Sequence, residues 1–203
     1  VLVMRGSMPA AVRDFTVIRP AAPEHAAVVV HLSHILLLPE HRRSGLSAWM
    51  RAVPCALARR CAAATGSGLP VVLAAEMEHP DPSDPKTTIR LAAYKKAGFK
   101  KLDPAKVRFL QPDFRPVEEI EKTGVRPLPL ALLLRFGAEP CPVSVPGSFA
   151  REIASALYDM YGLEFHDRHL APVRESLKSY PERGEQVSLL DPLATGSGAV
   201  EAL

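Results

Sequence analysis

The stretch that decides the fold is AAVVVHLSHILLL, Ala26–Leu38, followed by Pro39-Glu40-His41-Arg42-Arg43-Ser44-Gly45-Leu46-Ser47. The first part is rich in β-branched residues and reads as a long strand. Pro39 stops it, because proline cannot donate to a ladder. Glu40–Gly45 is a loop of charged and small residues. Leu46–Thr65 reads as a helix, with a kink expected at Pro54 and an end at Gly66–Gly68. Leu69–Ala75 is the next strand. In such a strand–loop–helix turn, the N–H groups of the loop and first helical turn have no intrahelical partner. The helix dipole makes their meeting point favourable for an anion. Arg42 and Arg43 add positive charge, so a pyrophosphate fits there. An ordinary loop with solvated arginines fits the same letters, since short glycine motifs match often by chance.

Outward from this unit, the chain alternates short elements. Val1–Met4 and Phe15–Arg19 read as a hairpin, and Pro20 and Pro23 mark a turn. Glu76–Thr88 is a polar loop, and Thr88–Ala97 a short helix capped by Gly98. Phe99–Leu102 and Val107–Gln111 are strands joined by the turn DPAK. Pro112–Pro127 is a charged connector, Leu128–Phe136 a strand, and Pro140–Gly147 a proline-rich turn. Ser148–Tyr161 is an amphipathic helix with Ser148 as N-cap and Gly162 at its end. Its apolar face is expected to carry Phe149, Ile153, Ala156, Leu157 and Met160 or Tyr161. After Gly184 periodicity fades, and Gly196–Gly198 reads as a frayed end. Strands alternating with helices argue for an α/β (α+β) fold, a sheet layered with helices.

Composition narrows the function classes. With 47% hydrophobic and 23% charged residues in 203, the chain has the balance of a globular domain and not of a disordered one. Twenty prolines favour short elements over a long helical bundle. A net charge of +3 is too small to argue for nucleic acid. No apolar run reaches membrane-spanning length, and the N-terminus makes a poor signal peptide. Cys55, Cys61 and Cys141 are odd in number and lack metal spacing, which reads as reduced core thiols in a cytoplasmic protein without a zinc site.

One further segment gives the first its context. In RLAAYKKAGFKKLD, Arg90–Asp103, a tyrosine sits in the last turn of a helix, four residues before a Gly-Phe that opens the next strand. Arg42-Arg43-Ser44-Gly45-Leu46-Ser47 and Tyr94–Phe99, in this order and spacing, resemble the two signatures of the GNAT superfamily of acyl-coenzyme A-dependent N-acyltransferases. The resemblance covers roughly Ala26–Gln111. Ser47 stands where the family carries Gly or Ala, and Arg43 where it often carries Gly. The family's N-terminal elements have little room in residues 1–25. The organisation it implies is a GNAT-like core over residues 1–111, with a mixed central sheet flanked by helices and a short N-terminal part. A strand-and-helix extension over 112–203 would pack on the core or on a second subunit as a homodimer.

The resemblance implies an N-acetyltransferase using acetyl-coenzyme A as cosubstrate on a small-molecule or peptide amine, with no nucleic-acid or membrane partner. The alternative is a non-catalytic acyl-coenzyme A-binding or regulatory domain. The central strand would splay from its neighbour. Backbone groups of Ile35, Leu36, Leu37 and Leu38 would pair with the pantetheine arm. N–H groups from Arg42 or Arg43 through Ser44, Gly45, Leu46 and Ser47 would take the pyrophosphate. Tyr94 would act as general acid on the departing thiolate. The amine attacks directly and must lose a proton, for which His31, His34, Glu76 and Glu78 are the candidates; His31 and Glu76 are the preferred pair. By alternation His31, Ser33 and Ile35 share a strand face. His31 also fits a hydrogen-bonded sheet histidine, Glu76 a solvated strand end, and Glu78 an ion pair with Arg90. Trp49 is expected in the core or an interface.

Overall fold

The computed structural model describes residues 1–19, 27–64, 66, 68–137, 141–182 and 184–194. Nine strands and five α-helices among these form a mixed α/β architecture in which most strand pairs are antiparallel. The turn expected at Pro20 and Pro23 and the frayed end at Gly196–Gly198 lie outside the described residues. The chain forms two compact units, Val1–Ala75 with Arg135–Glu139, and Glu76–Leu134 with Pro140–Leu203.

The first unit carries strands β1 (Leu2–Arg5), β2 (Met8–Ile18) and β3 (Val28–Leu37), helix α1 (Leu46–Ala64), and β4 (Val71–Met77) up to Ala75, in the order β1-β2-β3-β4. The expected hairpin partner was misplaced. β1 pairs with the start of β2, Leu2 opposite Val12 and Arg5 opposite Met8, while Phe15–Ile18 pairs with β3. The reason is Gly6, whose φ of 62° turns the chain back after Arg5. Parallel pairing of β3 with β4 needs a crossover, which α1 supplies. α1 packs on β2 and β3 through Met50, Pro54, Ala58 and Ala62, spaced by four so that they form one stripe. Trp49 falls outside that stripe and is exposed, so of its two expected places it is not in the core. The cysteines are not core residues either: Cys61 is exposed, and Cys55 and Cys141 are half-buried.

One charged side chain is buried among the described residues of this unit. Arg13 of β2 is 1% exposed, and its Nε and Nη1 have no hydrogen-bond partner among the described residues. Two guanidinium nitrogens buried without partners oppose folding. Arg13→Met is therefore expected to raise stability by about 1–4 kcal/mol in a denaturant titration.

The second unit contains α2 (Pro85–Lys96), β5 (Lys100–Leu102), β6 (Phe109–Gln111), α3 (Val117–Thr123), β7 (Leu128–Phe136), β8 (Ser144–Pro146), α4 (Gly147–Tyr161), α5 (Asp167–Ser176) and β9 (Gln186–Leu190). Its strand order is β7-β5-β9-β8, with β6 also on β7. The DPAK segment does not join a hairpin. β5 and β6 both run antiparallel to β7, Lys100 opposite Leu134 and Phe109 opposite Leu130, like one strand interrupted between them. α2 begins one turn earlier than expected, because the Asp84 carboxylate accepts the Lys86 N–H at 2.9 Å and caps it.

α4 buries Ala150, Ile153, Ala154, Leu157, Tyr158 and Tyr161. The face is rotated from the expected one, leaving Phe149, Ala156 and Met160 half-buried. Ser148 is not the cap. Pro146 occupies that position, with no side-chain hydrogen bond. Gly147 fits closely there: a Cβ would lie 2.7 Å from the Pro181 carbonyl oxygen. The connector 112–127 contains α3, whose seven residues are too few for a periodic signal.

Candidate functional site

The loop between β3 and α1 begins as a 3-10 turn, Pro39–His41. Arg42 is extended, with φ −69° and ψ 154°. Arg43 then takes φ 60° and Gly45 φ 82°. A left-handed arginine is strained, and such strain gathers where a loop is shaped for a ligand. The Ser44 hydroxyl donates to the His41 carbonyl at 2.6 Å, tying the loop to itself. The Gly45 carbonyl accepts the N–H groups of Ala48 and Trp49, which makes Gly45 the residue that opens α1. The N–H groups of Arg43, Ser44, Gly45 and Ser47 have no partner among the described residues, and that of Leu46 reaches only the Ser44 hydroxyl at 3.4 Å. Arg42 and Arg43 are exposed. The loop thus presents unpaired donors and two cations at a helix start, which suits an anion.

β3 loses one of its two partners just below this loop. Its parallel register with β4 runs from Val28↔Val71 to His31↔Ala74 and ends there, while β3 continues through Leu37. On its other edge β3 stays paired with β2, but the register shifts: Leu32 faces Phe15, whereas Ile35 faces Arg13. One extra residue is therefore inserted in β3 around Ser33 and His34, a β-bulge. The bulge overturns the expected alternation. Arg13 and Phe15 share a face of β2, so Ile35 shares its face with Leu32 and not with His31. Ser33 does stay with His31: its Oγ lies 3.2 Å from the buried His31 Nδ1. His34, Ile35 and Leu36 are exposed, Leu36 at 59%. Leu37 and Leu38 are half-buried, and the Leu38 N–H returns to the Ala10 carbonyl.

In the second unit, Tyr94 closes α2. The Phe99 N–H donates to the Tyr94 carbonyl at 3.1 Å and the Gly98 N–H to the Lys95 carbonyl at 2.9 Å, with Gly98 at φ 80°. This pair of bonds is the Schellman C-cap. The hydrophobic contact that accompanies such caps is the edge-to-face pair of Tyr94 and Phe99, 4.9 Å between centroids. The spacing Tyr-x-x-x-Gly-Phe therefore has a purely structural cause in the backbone and the two rings. It leaves the Tyr94 hydroxyl unexplained, for that group makes no hydrogen bond among the described residues.

Glu76 lies inside β4, not in a loop, and is half-buried. Its Oε1 accepts the Tyr161 hydroxyl at 2.9 Å, and its Oε2 accepts Gln111 Nε2 at 3.0 Å. Burial, and then the Glu76 charge, push the Tyr161 phenol far up, so it stays a neutral donor. Tyr161 and Gln111 were not foreseen as partners of Glu76. Tyr161 was legible only as an apolar-face residue, because its hydroxyl finds Glu76 across 85 residues of chain. Glu78 pairs with Arg90 at 2.9 Å, as the ion-pair reading expects. Elsewhere in the unit, burial pulls the Lys101 ammonium down; it donates to the Ala194 carbonyl, with Asp191 and Asp103 holding its charge.

Among the described residues no cluster of three or more His, Cys, Asp or Glu side chains could hold a metal, and no helix is long and apolar enough to cross a membrane. No protein-family model and no curated protein matches the chain.

Proposed function

We propose that the chain is a GNAT-like N-acetyltransferase that moves an acetyl group from acetyl-coenzyme A to an amine by direct attack. The observation that carries this reading is the combination at the end of β3. The strand bulges at Ser33–His34, parts from β4 after His31↔Ala74, and runs into a loop where the N–H groups of Arg43, Ser44, Gly45 and Ser47 lack partners among the described residues, while that of Arg42 is taken by the Pro39 carbonyl. An unpaired strand edge suits the amides of pantetheine, and the loop suits a pyrophosphate. Arg43, the departure from the family's glycine, already holds the left-handed φ that favours glycine. The loop therefore keeps the shape a glycine would give it.

In this reaction the amine nitrogen forms a bond to the thioester carbonyl carbon, and the carbon–sulfur bond breaks as the tetrahedral intermediate collapses. The departing thiolate takes a proton, for which the Tyr94 hydroxyl is the proposed donor. The ammonium form of the acceptor must first give up a proton, and the nitrogen loses a second as the intermediate collapses, which restores the Tyr94 phenol. His31, with Ser33 on its Nδ1, and Glu76, held by Tyr161 and Gln111, are the proposed acceptors.

Gly45→Val tests the coenzyme site. Nothing lies within 4 Å of a Cβ at this position, so the fold has room for the side chain. The cost lies in the φ of 82°, which a β-branched residue resists, and in an isopropyl group set among the donors of the loop. Calorimetry is expected to show coenzyme A binding weakened by at least about tenfold, the equivalent of one misplaced charge-assisted hydrogen bond. Unchanged affinity would remove the loop from the site.

A further inference from the structure

The second unit holds an open cavity of about 550 Å³, lined by residues 111–115 together with Glu119, Arg126 and Leu128. That volume is in the range of small-molecule sites. Most of its polar wall is already engaged. Arg115 donates to Asp113 at 2.6 Å, to Glu119 at 3.0 Å, to the Thr123 hydroxyl and to the Gly124 carbonyl. Asp113 also accepts the Arg126 N–H at 2.7 Å, which anchors the backbone of Arg126 and leaves its side chain to project. The Arg126 guanidinium is exposed and has no partner among the described residues.

The apolar part of the lining is equally distinct. Phe114 is 57% exposed and Leu128 51%, unusual values for large apolar side chains that face a concavity. Phe114 is not loose. Its ring stands edge-on to Tyr161 and Phe165, with centroids 5.8 and 4.9 Å away. A fixed aromatic surface loses little entropy when a ligand covers it. From the lining, Gln111 donates to Oε2 of Glu76, whose Oε1 accepts the Tyr161 hydroxyl.

We infer that this cavity receives the acceptor, and that the acceptor is an amino acid with a large apolar or aromatic side chain. The inference rests on the acetyltransferase reading for the word acceptor, but not for the ligand's chemistry. The uncompensated guanidinium of Arg126 takes the carboxylate. Phe114 and Leu128 cover the side chain. The ammonium group lies toward Gln111 and the negative charge of Glu76.

The test is calorimetric titration of the full chain, without coenzyme, with L-phenylalanine, 3-phenylpropionate, phenethylamine and glycine. L-Phenylalanine is expected to bind best, and loss of the amine, the carboxylate or the ring to weaken binding in each case. Arg126→Gln, a change at an exposed side chain whose backbone bond is kept, is expected to weaken L-phenylalanine about tenfold while leaving phenethylamine unchanged. Phe114→Ala is expected to weaken both. No saturable binding of L-phenylalanine, or binding indifferent to Arg126→Gln, overturns the inference. Coenzyme A titrated into the same preparation separates the two readings: binding of coenzyme A without L-phenylalanine defeats this inference alone, and the reverse result defeats the acetyltransferase reading alone.

Discussion

Tyr94→Phe is expected to lower turnover by about 10²–10⁴-fold, the usual contribution of a general acid, while coenzyme A affinity and the fold stay as they are. The substitution is unusually clean because of how α2 ends. What Tyr94 does for the structure is done by its carbonyl, which accepts the Phe99 N–H, and by its ring, which meets Phe99 edge-on. Phenylalanine keeps both. The hydroxyl has no hydrogen bond among the described residues, so removing it takes nothing from the folded chain. Charge on the leaving sulfur develops only in the transition state, so the loss belongs in kcat and not in ground-state binding. Thiol release at saturating coenzyme, with calorimetry beside it, reads both quantities. An unchanged kcat would confine Tyr94 to its capping role.

Asp113→Asn is expected to cost about 1.5–3 kcal/mol of stability at neutral pH, the range for hydrogen bonds to a charged group. Asp113 is 4% exposed and ties residues 113–126 into one knot. Its oxygens accept the Arg115 N–H and Nε–H, Nη2 of the same guanidinium, and the Arg126 N–H. An amide nitrogen in place of either oxygen would face donors. The pH dependence follows from the same contacts. Hydrogen bonds from the Arg115 side chain hold the Asp113 carboxyl well below the usual carboxylate range, against the opposing effect of burial. A carboxyl depressed in the folded state contributes fully above its unfolded pKa of about 3.9, and loses the contribution as pH falls toward the folded value. The gap between wild type and Asp113→Asn should therefore be constant near neutrality and narrow below about pH 4. Urea titrations from pH 7 down to pH 3 measure it, and a gap that widens in acid would contradict the argument.

The site divides by the range of the interactions that build it. The loop between β3 and α1 was legible because its parts are neighbours in the chain: Pro39 ends β3, Gly45 opens α1, and two arginines lie between them. The close of α2 was legible for the same reason, since Tyr94, Gly98 and Phe99 span one helical turn. Glu76 was visible as a residue, but its donors were not. Gln111 lies 35 residues away and Tyr161 85, and neither carries a local mark of that role. The cavity was invisible altogether, because it is formed by a connector whose short helix leaves no periodic trace.

The fold divides along the same line. Chain-local physics determined which segments become elements: β-branched runs with a proline stop made β3, Leu128–Phe136 became β7 with the expected bounds, and glycines ended α1 and α2. Only the tertiary structure decided which elements meet. It paired β1 with the first half of β2, placed β5 and β6 along β7 instead of against each other, and made the tail's Gln186–Leu190 a strand. It also rotated α4 to bury Ala150, Ala154 and Tyr158, and inserted the bulge that turned Ile35 to the face opposite His31. Propensity, capping and periodicity act within a few residues and so are written in the chain. Strand register and helix rotation are settled by contacts between residues tens of positions apart, where packing against a particular neighbour outweighs any local preference.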